Sequence, residues 1–180
     1  MELKHKQSAS SNVIPLGSKC RKYSLQIGSG LLLSAFSTLA PAALDRVGDF
    51  ALLDNAGTFH QLSRYQHRKA LVLMAYSDEC ATMDALLDNF KGIALEYAGN
   101  DFEFLLIDSQ DLDRPQLSGL GTELPILEDD GQLVSETLNI ENAGDVLVLN
   151  PERLSLFYKG QSSQELESVL TSITGEGVSD

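Results

Sequence analysis

Basic residues are scarce through most of this chain. No Lys/Arg cluster follows residue 22, and the formal net charge over 180 residues is −13. A surface with that balance repels phosphates, so nucleic acid and anionic lipid are poor partners for the folded part. Cysteine is scarcer still, with only Cys20 and Cys80. Any core must therefore hold without a framework of disulfides. Internal repeats and low-complexity runs are absent too. What is present, 43% hydrophobic and 22% charged residues, suffices for a sizeable core. The length leaves room for one domain and an appendage.

The few basic residues crowd the start of the chain. Lys4, Lys6, Lys19, Arg21 and Lys22 fall in the first 22 residues, with Glu2 as the sole acid there. An apolar, small-residue stretch follows over 25–39, centred on Leu31-Leu32-Leu33, and then Ala40-Pro41-Ala42-Ala43. Positive, apolar and A-x-A segments in that order predict a leader over 1–42, a signal peptide cut after Ala42 or Ala43, ahead of a domain over 43–180. Two other readings stay open, an uncleaved membrane anchor and a basic, unstructured tail. Gly28, Ser29, Gly30, Ser34, Ser37 and Thr38 weaken a span, which needs about 20 mostly apolar residues. Cleavage would take Lys+Arg from 13 to 8 and Asp+Glu from 26 to 25, deepening the charge to about −17. It would also remove Cys20, which follows Lys19 and so does not sit in a lipobox. Cys80 would then be alone, with no intramolecular disulfide available.

Periodicity supplies the order of elements. Phe50-Ala51-Leu52-Leu53, a turn at Asp54-Asn55-Ala56-Gly57, and alternating Thr58-Phe59-His60-Gln61-Leu62 predict a β-hairpin. The nearly all-apolar run over 70–76 predicts a strand buried on both faces, as parallel sheets require. Over 81–97, Met83, Leu86, Leu87, Phe90, Ile93, Ala94 and Tyr97 share one helical face, and Gly99-Asn100 ends the helix. A strand over 102–107 follows closely, so a right-handed βαβ crossover is expected. Residues 111–121 predict a loop or short helix, 124–127 a brief extended segment, and 134–138 a helical turn or two. Strands over 146–149 and 154–158 flank a hairpin connection at Asn150-Pro151-Glu152-Arg153, and 164–173 predict an amphipathic helix facing inward through Leu166, Val169, Leu170 and Ile173. The expected architecture is α/β, a central mixed sheet flanked by helices with an N-terminal β-hairpin extension.

That order, with a cysteine closing the first buried strand, resembles the redoxin branch of the thioredoxin-like superfamily, which includes peroxiredoxins and thiol:disulfide exchange proteins. The resemblance is carried by the stretch from Val47-Gly48-Asp49 to Gly57, by Leu62-Ser63-Arg64-Tyr65, and by residues 70–80. Leu124-Pro125-Ile126-Leu127-Glu128-Asp129-Asp130-Gly131 and Val146-Leu147-Val148-Leu149-Asn150-Pro151 continue it, so that it covers roughly residues 47–160. It is nearest to redoxin domains of bacterial envelope proteins, and implies an exported, periplasmic or envelope location and a thioredoxin-like fold.

The resemblance makes Cys80 the attacking thiol. A helix start favours a thiolate through its amides and dipole; Asp78 and Glu79 oppose a second anion. The alternative is an inert cysteine used as a small apolar residue. The family's motifs are incomplete. Met83 holds the resolving position of C-x-x-C, which excludes dithiol exchange unless a partner supplies the second sulfur. Met83 is also read as packing, since a Cys80/Met83 pair offers too few soft ligands for Cu(I). Ser77 matches the peroxiredoxin hydroxyl position three residues before Cys80, but Leu73 replaces its proline. Asn142-Ala143-Gly144-Asp145 offers no arginine, leaving Arg114 or Arg153 as spatial substitutes. The thioredoxin cis-proline is replaced by Gly144 or Asp145, where a trans peptide is expected. His60 and His67 are read as solvent-facing rather than as metal ligands with Cys80, and Glu128-Asp129-Asp130 as a solvated turn rather than a calcium loop.

These readings predict catalytic Cys80 and Ser77, with no cofactor and no metal. The expected partners are an external thiol or redox protein, with peroxide as a further substrate; membrane contact would come only through an uncleaved leader. The competing function is a catalytically degenerate accessory or binding module of the envelope.

Overall fold

Seven residues without one strongly polar side chain, Ala70–Tyr76, form strand β3, and all seven are buried. A strand can be buried throughout only if both faces are covered and both edges paired. Those conditions organise the structure, a computed structural model that describes residues 46–161 and 163–175. The predicted leader over 1–42 lies outside the described residues. No helix among them is long and apolar enough to cross a membrane.

The remaining elements are β1 (Ala51–Leu53), β2 (Phe59–Gln61), α1 (Met83–Glu96), β4 (Phe102–Asp108), α2 (Arg114–Gly119), β5 (Ile126–Leu127), α3 (Leu133–Thr137), β6 (Val146–Asn150), β7 (Ser155–Gly160) and α4 (Ser163–Gly175). The main sheet has the order β5-β4-β3-β6-β7. Strand β4 pairs with β3 in parallel, from Ala70↔Phe102 to Tyr76↔Asp108, so the expected β3-α1-β4 crossover is present. Strands β6 and β7 are antiparallel to their neighbours. The short α2 is set by Asp113, whose side chain accepts from the Gln116 N–H while the Gln116 side chain accepts from the Asp113 N–H, with Pro115 in the first turn.

Alternate side chains of β3 go to opposite faces. Ala70, Val72, Met74 and Tyr76 meet Phe104 and Leu106 of β4, Met83, Leu87, Phe90 and Ile93 of α1, and Leu166 and Leu170 of α4. Leu71, Leu73 and Ala75 meet Leu105, Ile107, Leu147 and Leu149 under Leu62, Leu138 and the partly buried Phe50, Leu52 and Val134. Helices α1 and α4 therefore cover one face, and the hairpin and α3 cover the other. Each fully buried leucine here contributes about 1.5–3 kcal/mol.

The hairpin β1-β2 extends the sheet at its β5 edge, where Asp54 bridges Leu127 and the Glu128 N–H donates to the Leu53 carbonyl at 2.8 Å. Gly57, at φ 83, closes the turn in a conformation that favours glycine. The side chains of β2 are inverted relative to expectation. Phe59 faces outward under Arg64, whose guanidinium carbon lies 5.5 Å from the ring centroid, whereas His60 is buried. The physical reason is Asp54. Its buried carboxylate accepts from the N–H groups of Ala56 (2.9 Å) and Thr58 (2.8 Å) and from His60 Nε2 at 2.9 Å. On the other side of the ring, His60 Nδ1 lies 2.5 Å from the Tyr65 hydroxyl, within hydrogen-bond distance. His67, by contrast, is exposed as expected.

Burial alone would raise the Asp54 pKa, but the bonds from His60, Thr58 and Ala56 outweigh it and hold the carboxyl below its ordinary 3.8. Burial, with the charges of Glu103 and Asp54, pushes the Tyr65 phenol up to about 12, so it remains a hydroxyl. A carboxylate with a depressed pKa stabilises the fold fully above the unfolded value and stops doing so as pH falls through the folded one. Asp54→Ala is therefore expected to cost about 2–3 kcal/mol at pH 7, measured by urea denaturation. The gap from the natural protein should narrow as pH drops below about 3.8, and a gap constant into stronger acid would refute this account.

Candidate active site at the end of the central strand

In open α/β sheets the crevice beyond the carboxyl ends of the strands is where ligands bind. Here that rim is formed where β3 and β4 end side by side, at Tyr76 and Asp108. Asp108 is fully buried; one carboxylate oxygen accepts from the Gln110 N–H at 3.0 Å and the other from the Leu112 N–H at 2.8 Å. Ser109 returns to β3 by donating its N–H and its hydroxyl to the Tyr76 carbonyl. The Gln110 side-chain oxygen in turn accepts from the Asp78 N–H at 2.9 Å. Short-range periodicity held no hint of this strut, because it joins residues about 30 positions apart.

Residues 77–82 turn twice before α1. The Cys80 N–H donates to the Ser77 carbonyl at 3.2 Å, and the Met83 N–H donates to the Cys80 carbonyl at 2.9 Å. The helix begins at Met83, two residues later than expected, so Cys80 lies in the approach to the helix and Thr82 takes the N-cap position. Cys80 is 7% exposed and packs with the core under α1. Ser77 is also buried and contributes its carbonyl; the hydroxyl found beside the cysteine sulfur is that of Thr82, at 3.4 Å. Sequence reasoning missed Thr82, because the known hydroxyl pattern lies on the other side of the cysteine. In the full chain Cys80 is disulfide-bonded and no free cysteine is found among the described residues. The expectation of a lone thiol thus concerns only a chain cut after the leader. Cys20 lies outside the described residues.

Asp78 and Glu79 are exposed, so water screens their repulsion of an anion at Cys80. Their sign is still felt nearby. Burial first, then the charges of Asp78 and Asp84, raise the Tyr76 phenol above its ordinary 10.0.

Other expected participants stand elsewhere. Met83 is buried in the α1 core, as its packing role required. Arg114 is held by Glu128, Nη2 to Oε2 at 2.7 Å, and Arg153 lies in the turn after β6, at the opposite end of β3 from Cys80. Among the described residues no group of three or more His, Cys, Asp or Glu is placed to hold a metal. The acidic turn after β5 is more than a solvated loop. Asp129 is 1% exposed and its carboxylate accepts from the N–H groups of Val134 and Ser135, which starts α3.

The loop before β6 replaces the cis-proline. Among the described residues every peptide is trans, as expected there. Gly144 donates its N–H to the Ala75 carbonyl and Ala75 donates to the Asp145 carbonyl, which clips the loop to the end of β3. The buried Asp145 carboxylate accepts from the Glu141 and Asn142 N–H groups and from the Gln161 side chain. Ala143 packs against the core that contains Cys80.

No family model and no curated protein matches the sequence. Solved structures do resemble the fold. A hypothetical protein of Sinorhizobium meliloti 1021 aligns with TM-score 0.63 and 20% identity, over 76% of this chain and 86% of that one. The exposed lipoprotein thioredoxin Etrx1 of Streptococcus pneumoniae strain TIGR4 gives 0.58 and 20%, over 69% and 99%. Peroxidoxin BcpB of Mycobacterium tuberculosis gives 0.60 and 17%, over 76% and 97%. Likeness at such identities establishes the architecture alone, a thioredoxin-like fold.

Gly144 is at φ 87, and a Cβ there would lie 2.8 Å from Leu86 Cδ1. Gly144→Ala is expected to cost about 1–3 kcal/mol, read by thermal unfolding. It should also displace the amides of residues 141–145 in NMR spectra while leaving the β1-β2 hairpin unmoved.

Proposed function

We propose that the domain is a thiol oxidoreductase working through Cys80, exported to the periplasm or cell envelope after loss of the leader, with its resolving thiol supplied from outside. The observation that carries this reading is the position of Cys80, at the junction of β3 and α1 on the rim of a thioredoxin-like sheet, with a hydroxyl beside its sulfur. In the peroxide route the Cys80 thiolate attacks one peroxide oxygen, the O–O bond breaks, and water or an alcohol leaves. The resulting sulfenic acid condenses with an external thiol, releasing water. A second external thiol then cleaves the mixed disulfide and restores Cys80. In the exchange route the Cys80 thiolate attacks a partner disulfide, the S–S bond breaks and one partner sulfur leaves as a thiolate. An external thiol then cleaves the mixed disulfide to restore Cys80. Ser77 is proposed as a second catalytic residue, a reading supported by its place in the same turn, where its carbonyl accepts from the Cys80 N–H.

A second reading is favoured by the 7% exposure of Cys80 and its place in the core, an accessory or docking module on a redoxin scaffold. The two are separated with full chain carrying Cys20→Ser, so that Cys80 is the one thiol. Thiolate absorbance against pH should show a midpoint below about 7.5 if the thiol is activated. Dilute peroxide should then produce a trappable sulfenic acid, absent in the Cys80→Ser variant. A midpoint at or above about 8.5, with no trapping, establishes the scaffold reading instead.

A further inference from the structure

Thr82 occupies the N-cap of α1, the position where a threonine hydroxyl ordinarily accepts from an N–H of the first helical turn. It makes no side-chain capping bond there, and its backbone, φ −105 and ψ 4, is not in the extended conformation that brings the hydroxyl under those groups. The hydroxyl instead lies 3.4 Å from Cys80 Sγ. An N-cap bond stabilises a helix, and this placement forgoes it while setting the hydroxyl beside the sulfur. The direction of the bond also follows. A disulfide sulfur carries no proton, and Cys80 is disulfide-bonded here, so Thr82 donates. A thiolate likewise only accepts, and more strongly, because hydrogen bonds to charged acceptors are about twice as strong as neutral ones.

We infer that Thr82 is a positioning residue of the Cys80 site, its hydroxyl donating to the sulfur and favouring the anionic form against the exposed Asp78 and Glu79. This rests on the reading of Cys80 as a working thiol. It places the supporting hydroxyl two residues after the cysteine, where the sequence pattern had pointed to Ser77, three residues before it.

The test uses the reduced full chain with Cys20→Ser as the parent, compared with added Thr82→Val, Thr82→Ala and Thr82→Ser. Thr82→Val keeps the shape and removes the donor. It should raise the thiolate midpoint by about half a pH unit or more, as should Thr82→Ala, and the pH profile of Cys80 alkylation should move with it. Thr82→Ser should hold the parent midpoint. Should Thr82→Val and Thr82→Ala match the parent midpoint, or Thr82→Ser shift as far as they do, the inference is overturned; a lowered melting temperature with an unmoved midpoint would mark Thr82 as a cap alone. The parent midpoint tests whether Cys80 is activated, and the differences among variants test Thr82, so the two failures are read from separate numbers.

Discussion

Burial of β3 on both faces is the constraint on which the rest depends. Seven consecutive buried side chains require two covering layers and two paired edges. Strands β4 and β6 supply the edges, α1 and α4 one layer, and the hairpin with α3 the other. Chain that leaves such a strand must turn at its carboxyl end, and β4, paired alongside in parallel, ends at the same level. The rim where Cys80 sits is thus a consequence of the core rather than a separate invention. The residues around it, Asp108, Gln110, Ser109 and Asp145, spend their polar groups on holding loops in place.

Electrostatics at the sulfur come down to magnitudes. Carboxylates in water a few ångströms from an anion repel it by about 1 kcal/mol or less, and salt reduces this further. A hydrogen bond to a charged acceptor contributes about 1.5–3 kcal/mol. Exposure of Asp78 and Glu79 therefore matters more than their number, and one donated hydroxyl can offset both. The lost cap at Thr82 and the late start of α1 belong to the same arrangement.

Polar residues that lie inside this fold share a logic. Asp54, Asp108, Asp129 and Asp145 are all nearly inaccessible, and each accepts backbone N–H groups at a turn. A chain rich in acid and poor in base has few cations to pair with them. Backbone amides, plentiful wherever a loop leaves an element, serve instead. His60 enters the interior by the same route, because its two nitrogens complete the Asp54 carboxylate on one side and the Tyr65 hydroxyl on the other.

By itself the sequence determined what periodicity can encode. The continuous run over 70–76 marked a strand covered twice, the spacing of Met83, Leu87, Phe90 and Ile93 marked the face of α1, and the closeness of strand, helix and strand marked the parallel crossover. These signals are local, since each is written within about one element's length. Tertiary structure alone decided which polar residues go inside. The alternation of Phe59 and His60 pointed the wrong way because a distant carboxylate and phenol outweighed hydropathy, and Asp129 was read as solvated because its acceptor role exists only once α3 forms. Whether Asp78 and Glu79 face water, and which hydroxyl reaches Cys80, were likewise settled in three dimensions, where hydrogen bonds join groups that no spacing rule connects.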